Sequence, residues 1–297
     1  MNTEHTAFVL TAKTAMIKRN REQFLNASGE NFNIISLLNL EYDEARLHSR
    51  FIAGLLNPCG KHGKKALFLQ LFLQAANLPP IAGNLLLDAK VYVEEHIGAI
   101  TQDWMEGGQI DIVIKIPHDI VIVIENKINA GDQKHQLIRY KNRYPNSYLL
   151  YLTKFGTWPS TYSTHDQASG RKIVDFEGDP KHLLISYEEH ILAWLESCSR
   201  EATRQSLLRE NIFQYITTVK KITNQLTDNT MSTEIASTVI STNENLEGFF
   251  ALRTQNVVKA VERQLLYKFI DETTAIAKEL GLEYDVTNSD RELGHKE

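Results

Sequence analysis

The strongest constraint in this sequence is a pair of short apolar segments, residues 110–116 and 120–124, separated by Pro117-His118-Asp119. Nearly every position in the two segments is apolar and β-branched, which predicts strands covered on both faces of a sheet. The three residues between them have the composition of a tight turn. The segments therefore predict an antiparallel hairpin at the centre of the fold.

Acidic and basic residues lie at one end of this hairpin. If the turn is centred on His118, Asp111 lies directly across from Glu125, with Cβ atoms about 5 Å apart. Lys127 follows two residues later and projects from the same face. Asn126 points the other way, which leaves its backbone carbonyl near the carboxylates. A register shift of one residue would turn one carboxylate to the opposite face.

Two carboxylates side by side in a covered sheet repel each other and lose hydration, so without a cation one of them should take up a proton. A hard divalent ion removes the conflict, lowers the pKa of its bound water and stabilises charge on a phosphate. Lys127 could orient or deprotonate that water, or offset phosphate charge. The alternative is that Asp111 and Glu125 merely end their strands and Lys127 is a surface partner.

Glu44 lies within a strong helical pattern predicted over residues 39–56. On that helix it shares an apolar stripe with Leu47 and Phe51, where an unpaired carboxylate is costly. We therefore expect a third carboxylate directed at the same site. The alternatives are a glutamate that reaches solvent at the edge of the stripe or one that pairs with His48, itself expected to be a core-facing histidine bonded to a neighbour.

A second helix is predicted over residues 131–144, directly after the strand that carries Lys127. Gln136 and Tyr140 are one turn apart and could support the site. Basic residues around them predict phosphate contacts: Lys134, Arg139, Lys141 and Arg143. The alternative is an ordinary solvated helix face.

Together these residues resemble the PD-(D/E)XK nuclease superfamily, which has the restriction-endonuclease-like fold. Asp111 matches the first acid, residues 125–127 match (D/E)-x-K, and Glu44 matches the acid often supplied by the first core helix. Residues 136–140 look like the Q-x-x-x-Y motif of one branch. Ile110, rather than proline, precedes Asp111. The Glu-x-x-x-His-Ser pattern from Glu44 is similar to a bacterial family within this superfamily.

The resemblance implies a hydrolase that cuts phosphodiester bonds with Mg²⁺ or Mn²⁺. The implied metal ligands are Asp111, Glu125, the Asn126 carbonyl and Glu44, with Lys127 acting on the attacking water and Gln136 and Tyr140 supporting the site. We expect DNA rather than RNA as the substrate, and bacterial defence or mobile-element conflict as the setting. The alternative is a non-catalytic nucleic-acid-binding or assembly module that keeps the fold.

The element order predicts an α/β fold, a central mixed sheet of four to five strands flanked by helices. We expect an N-terminal helical extension over residues 1–36, the nuclease core over 37–199 and a helical C-terminal subdomain over 200–297. The C-terminal helices could mediate homo-oligomerisation or hold a partner protein.

Composition limits the other classes. The formal net charge of −5 disfavours a non-specific polyanion binder, although a local basic surface remains compatible with it. The two cysteines, the lack of a secretory signal and the lack of an apolar run of about 20 residues predict a cytoplasmic protein without membrane spans. Cys59-x-x-His62 has a zinc-like spacing, but the sequence offers no second pair.

Overall fold

The structure is a computed structural model that describes residues 15–20, 22–23, 26–27, 32–225, 236–252 and 255–280, without the side chains of 251–265. These residues fall into two compact units. One lies within residues 28–228, and the other within residues 1–27 and 229–297.

The larger unit contains a five-stranded sheet and its covering helices. In chain order its elements are α1 (Ile34–Leu37), a π-helical segment (Glu44–Ser49), α2 (Arg50–Leu56), α3 (Leu67–Ala75), α4 (Gly83–Leu87), β1 (Lys90–His96), β2 (Gln109–Ile116), β3 (Ile120–Lys127), α5 (Gln136–Arg143), β4 (Tyr148–Thr153), α6 (Thr161–Thr164), β5 (His182–Ser186), a second π-helical segment (Tyr187–Ile191), α7 (Leu192–Glu201) and α8 (Ser206–Ile222).

The sheet is mixed, as predicted. Its strands lie in the order β1-β2-β3-β4-β5, antiparallel from β1 to β3 and parallel from β3 to β5. The central strands are apolar on both faces because each face is covered. The α/β fold with a flanked mixed sheet is therefore confirmed.

Each face of the sheet carries its own apolar core. On one face Ile112, Ile124 and Leu150 pack with residues of α2, α3, α7 and α8. On the other face Val113 and Val123 pack with residues of α5. The sheet is thus the middle layer of three. The C-terminal ends of strands β3 and β4 lie between the two helical layers.

Two predicted helix starts are wrong. The helix predicted from residue 39 begins at Glu44, after Asn39 adopts a φ of 54°, and its first residues are π-helical. The helix predicted from residue 131 begins at Gln136, because His135 has a φ of 52° and cannot continue a right-handed helix backwards. The first start is set by Asp43, whose side chain accepts a hydrogen bond from the Arg46 N–H, and the second by the left-handed His135. Periodicity reveals neither.

The smaller unit is helical where the structure describes it. Residues 15–20 and 236–240 are helical, followed by α9 (Asn243–Leu252) and α10 (Gln255–Glu279). No described helix combines the length and the apolar character that crossing a membrane requires. Parts of the predicted extension and C-terminal subdomain lie outside the described residues, and their boundaries stay a prediction.

Candidate active site

The hairpin register predicted around His118 is confirmed. Ile116 pairs with Ile120, and His118 and Asp119 turn the chain with φ values of 65° and 58°. The β2–β3 ladder then runs to its last pair, Ile112 with Ile124. The next residues in this register are Asp111 and Glu125, so the two acids lie where the hairpin ladder ends.

Asp111 lies at an irregular point of the sheet. On the β1 side, the register passes from Val93 with Ile112 to Glu95 with Ile110, and Glu94 between them has a φ of 52°. Ile110 joins the α5 core, whereas strict alternation would place it with Ile112 on the other face. The β1–β2 register is the same on both sides of this point, so no residue is inserted and the irregularity is confined to Glu94 and Asp111.

The Asp111 carboxylate hydrogen-bonds to β3 just beyond the last backbone pair of the β2–β3 ladder. Its Oδ2 atom accepts a hydrogen bond from the backbone N–H of Asn126 at 2.7 Å. This bond ties Asp111 to the strand that carries Glu125 and Lys127. The side chain thus replaces a backbone pairing, which fixes the acid beside β3.

Glu125 and Lys127 form a buried ion pair. Lys127 Nζ lies 2.7 Å from Glu125 Oε1, and the side chains are 9% and 2% exposed. The same Oε1 accepts a hydrogen bond from Gln136 Nε2 at 2.7 Å, and Gln136 Nε2 also lies 3.1 Å from Tyr140 Oη. Tyr140 in turn donates to the Gln109 carbonyl at 2.6 Å. The structure thus brings both predicted supporting residues to Glu125.

Burial and charge shift the pKa values of all three ionisable groups. Burial, reinforced by the charge of Asp111, raises the pKa of Glu125 to about 8. Burial also raises the pKa of Asp111. Burial opposes the charged form of Lys127, but the charge and hydrogen bond of Glu125 outweigh it, so the pKa of Lys127 is raised. Both acids therefore hold protons to a higher pH than exposed carboxylates do, and Lys127 keeps its proton.

The donor set fits a hard divalent cation. Glu125 Oε2 is buried and has no hydrogen-bond partner, so a strong acceptor is left unsatisfied. In the described part of the chain, no group of three or more His, Cys, Asp or Glu side chains is arranged to hold a metal. Mg²⁺ is commonly held by one or two carboxylates with water. Asp111 and Glu125 together supply two such carboxylates.

Glu44 approaches the site from the π-helical segment but is occupied by backbone. Its Oε1 atom accepts hydrogen bonds from the N–H groups of Ile128, Asn129 and Ala130 at 2.6, 2.7 and 2.9 Å. Its charge adds to the effect of burial in raising the pKa of Asp111. Glu44 therefore anchors the chain that follows Lys127, and its predicted role as a metal ligand stays a prediction.

Asn126 points away from the carboxylates, as predicted. Its Nδ2 donates to Ser49 Oγ at 3.1 Å, and its Oδ1 accepts from the Tyr187 hydroxyl at 2.9 Å. These bonds join β3 to both π-helical segments. The Asn126 carbonyl stays a predicted metal ligand.

His48 is a core histidine. The ring is buried, its Nε2 donates to the Glu41 carbonyl at 2.8 Å, and its Nδ1 lies 2.8 Å from the Tyr215 hydroxyl. Burial lowers the pKa of His48 to about 4, so the ring is neutral and accepts the Tyr215 proton. The interpretation of His48 as a bonded core residue is confirmed, and Glu44 does not pair with it.

Sequence reasoning missed Asp132. Its Oδ1 accepts from the Tyr151 hydroxyl at 2.8 Å, and its Oδ2 accepts from the backbone N–H of Ser160 at 2.6 Å. Tyr151 is paired with Glu125 across β3 and β4. Asp132 thus fastens the segment after β4 to the site. Asp132 could not be identified from the sequence, because a single acidic residue in a loop belongs to no motif with a distinctive spacing.

The four basic residues predicted to contact phosphate differ in their exposure to solvent. Arg139 is 1% exposed and donates to the Lys134 carbonyl and to Gln133 Oε1, so it is not on the expected solvent-facing stripe. Lys141 donates to the Ile173 carbonyl at 3.2 Å. Arg143 is exposed, and Lys134 is partly exposed. Arg139, Lys141 and Arg143 lie on α5, whereas Lys134 precedes it, and helix periodicity could not show that Arg139 is buried.

The hydrogen bonds of His62 argue against a zinc site at Cys59-x-x-His62. His62 Nε2 donates to the Asn57 carbonyl at 2.8 Å, and Nδ1 accepts from the Lys64 N–H at 3.0 Å. Both ring nitrogens are therefore occupied. Cys59 is exposed and Cys198 is buried, both as free thiols.

A groove in this unit lies away from the acids. It has a volume of about 940 Å³ and lies against α2 and the start of α8, with apolar walls that include Phe51 and Leu208. Asp111, Glu125 and Lys127 do not line it. The two acids lie instead at the end of the β2–β3 ladder.

A mixed sheet that carries two acids and a lysine at one end defines a restriction-endonuclease-like protein. The chain belongs to the PD-(D/E)XK nuclease superfamily, whose family model matches residues 32–217. No curated protein and no solved structure matches the chain. The match covers every element from α1 into α8, including the whole sheet.

Proposed function

We propose that this protein is a divalent-metal-dependent nuclease that hydrolyses phosphodiester bonds. Asp111 and Glu125 would hold Mg²⁺ or Mn²⁺, with the Asn126 carbonyl and Glu44 as further candidate ligands. When bound, such an ion supplies an acidified water and a positive charge for the phosphate. The setting would be bacterial defence or mobile-element conflict, which rests on the resemblance alone.

One observation carries this proposal: the unsatisfied Oε2 of the buried Glu125 lies beside a second, half-buried acid, Asp111. A buried carboxylate with a free acceptor atom is costly, and a neighbouring negative charge adds to the cost. A purely structural site would have no reason to keep both acids there. A bound cation would both coordinate Glu125 Oε2 and remove the repulsion between Asp111 and Glu125.

Lys127 would act as a cation rather than as a base. Its raised pKa keeps the ammonium charged, and Glu125 holds it at 2.7 Å. A charged ammonium can hold an attacking water or offset charge on a phosphate oxygen, but it cannot accept a proton. Gln136 would keep Glu125 in place through its hydrogen bond to the carboxylate, and Tyr140 would in turn hold Gln136.

DNA is the proposed substrate, on the resemblance to restriction endonucleases. Lys134, Lys141 and Arg143 are the candidate phosphate contacts, since at least part of each side chain reaches solvent. Self-association or a partner protein at the C-terminal helices remains part of the proposal. A cytoplasmic location is supported by the two unpaired cysteines.

The test is a cleavage assay with purified wild type and Glu125→Gln on single- and double-stranded DNA and RNA. Each substrate is incubated with Mg²⁺, with Mn²⁺ and with EDTA. We expect cleavage of at least one DNA substrate by the wild type with metal, and none with EDTA or in the variant.

Two outcomes would reject the proposal. Cleavage that persists equally in Glu125→Gln would show that it does not arise at this site. Binding of nucleic acid without cleavage in every metal arm would favour the non-catalytic alternative.

A further inference from the structure

Exposed aromatic side chains surround the end of the sheet that carries the acids. Trp104, Phe155, Trp158 and Tyr162 are between 37% and 58% exposed, and we call them the aromatic rim. The chain contains three tryptophans. Trp194 is fully buried, and the other two belong to the rim.

Three rim residues lie on the segment that leaves β4 beside Lys127. Thr153, the last residue of β4, pairs with Lys127, the last residue of β3. Phe155, Trp158 and Tyr162 follow within nine residues of that pair. Because the two strands are parallel, this segment starts at the same end of the sheet as the ion pair.

The same segment is held firmly against the chain that follows Lys127. Ser160 N–H donates to Asp132 Oδ2 at 2.6 Å, and the Tyr162 carbonyl accepts from His135 N–H at 2.9 Å. Lys154 Nζ donates to Asn129 Oδ1 at 3.1 Å. A surface fixed in this way loses little conformational entropy when it binds a ligand.

Trp104 approaches the site from the β1–β2 loop. The ring centroid lies 5.9 Å from Lys134 Nζ and also 5.9 Å from Arg139 Cζ. Lys134 belongs to the loop between Lys127 and α5. Trp104 therefore borders the same loop as the other rim residues.

The rim segment after β4 carries no acidic side chain, whereas Asp103 and Glu106 flank Trp104 in the β1–β2 loop. Residues 153–165 include Lys154 and contain no Asp or Glu. Lys134 adds a second cation next to Trp104. Flat aromatic rings interleaved with lysines are the surface that proteins use for unpaired nucleic acid, because every base offers a π-face. A duplex keeps its bases stacked within the helix, so it would leave the rings unused.

We propose that the aromatic rim binds single-stranded DNA, or the unpaired end of a duplex, by stacking its bases next to the catalytic carboxylates. This inference rests on the proposed nuclease function and names its substrate class. Stacking contributes about 1–3 kcal/mol per base, so each lost tryptophan should weaken single-strand binding by about 5- to 150-fold.

The test measures binding to Glu125→Gln, which should not degrade the probe. The probes are a fluorescein-labelled oligo(dT), the same length of dT·dA duplex, and an oligonucleotide with abasic sites in place of the thymines. Trp104→Ala and Trp158→Ala are compared in this background with Phe213→Ala, which removes an exposed aromatic ring from α8.

We expect oligo(dT) to bind more tightly than the duplex and the abasic strand. Each tryptophan variant should lose affinity for oligo(dT), while its affinity for the abasic strand stays unchanged. Phe213→Ala should bind oligo(dT) like its parent. Tight duplex binding with no effect of either tryptophan, or an equal loss for both strands, would overturn the inference.

The cleavage assay separates this inference from the proposed function. Metal-dependent cleavage of duplex DNA only, lost in Glu125→Gln, would keep the nuclease and reject the single-strand substrate. Base-dependent binding by the rim without any metal-dependent cleavage would reject the nuclease and keep the stacking surface.

Discussion

Lys127 Nζ lies 2.7 Å from Glu125 Oε1, and the sheet contains a second pair of similar length in which Lys115 Nζ lies 2.6 Å from Glu95 Oε1. The two pairs differ in their surroundings. Glu125 has the charge of Asp111 beside it, which raises its pKa further than burial alone. Glu95 Oε1 is bonded to Lys115 and the Tyr144 hydroxyl, and its Oε2 is without a partner like that of Glu125. We therefore attribute the proposed metal binding to Asp111 beside Glu125, and not to the lysine–glutamate ion pair itself.

The first prediction concerns stability against pH in the metal-free protein. The pKa of Glu125 rises from 4.5 in the unfolded chain to about 8 in the fold. Between these values the folded state holds a proton that the unfolded state releases. The stabilising contribution is therefore complete below pH 4.5 and is lost as the pH rises to about 8.

Glu125→Gln removes this titration. In urea unfolding with EDTA, the variant should gain stability relative to the wild type as the pH rises from 5 to 8, by up to a few kcal/mol. Parallel stability curves for the two proteins would show that Glu125 is not protonated in the fold.

The second prediction concerns Glu44. Glu44→Ala removes the acceptor of three backbone N–H groups, and each loss of a charge-assisted bond typically costs more than 1 kcal/mol. We expect a loss of about 2 kcal/mol or more in urea unfolding. Glu44→Gln keeps an acceptor oxygen and should lose less. Equal stability of the two variants would contradict the anchoring role.

The third prediction concerns Lys127. Lys127→Met keeps the length of the side chain without its charge, so cleavage should fall by orders of magnitude. Glu125 would lose its counter-charge, and Mn²⁺ binding, measured by isothermal titration calorimetry, should require a higher pH than in the wild type. Wild-type cleavage by Lys127→Met would remove Lys127 from the mechanism.

The fourth prediction separates the basic residues around α5. Joint replacement of Lys134, Lys141 and Arg143 by Ala should weaken DNA binding and flatten its salt dependence, by about 0.9 in slope for each phosphate that the variant no longer neutralises. Arg139→Ala should instead lower the free energy of unfolding, because its guanidinium is buried and bonded within the protein. An unchanged salt slope in the triple variant would identify an ordinary solvated surface.

The hairpin and its acids could be predicted from sequence because they depend on local information. The β-branched segments fixed two covered strands, and the turn around His118 fixed the register. The position of Gln136 and Tyr140 on one side of α5 followed from helical spacing. All of these are set by residues close together in the chain.

The remaining features depend on contacts between distant residues. The left-handed φ of Glu94 and the irregularity at Asp111 arise where three strands meet. Glu44 was expected at the carboxylates, but its bonds to the backbone after Lys127 depend on how that loop folds. The aromatic rim combines loops about 50 residues apart in the sequence, and no periodicity connects them.

The most direct test compares cleavage by wild type, Asp111→Asn, Glu125→Gln and Glu95→Gln, prepared in parallel and assayed on the same DNA with Mg²⁺, Mn²⁺ and EDTA. Glu95→Gln is the matched control, because it neutralises the other lysine-bound glutamate of the sheet. We predict that Asp111→Asn and Glu125→Gln lose metal-dependent cleavage by at least about 100-fold, while both fold and Glu95→Gln cleaves like the wild type. Wild-type cleavage by a folded Asp111→Asn or Glu125→Gln protein, or an equal loss in Glu95→Gln, would contradict the account.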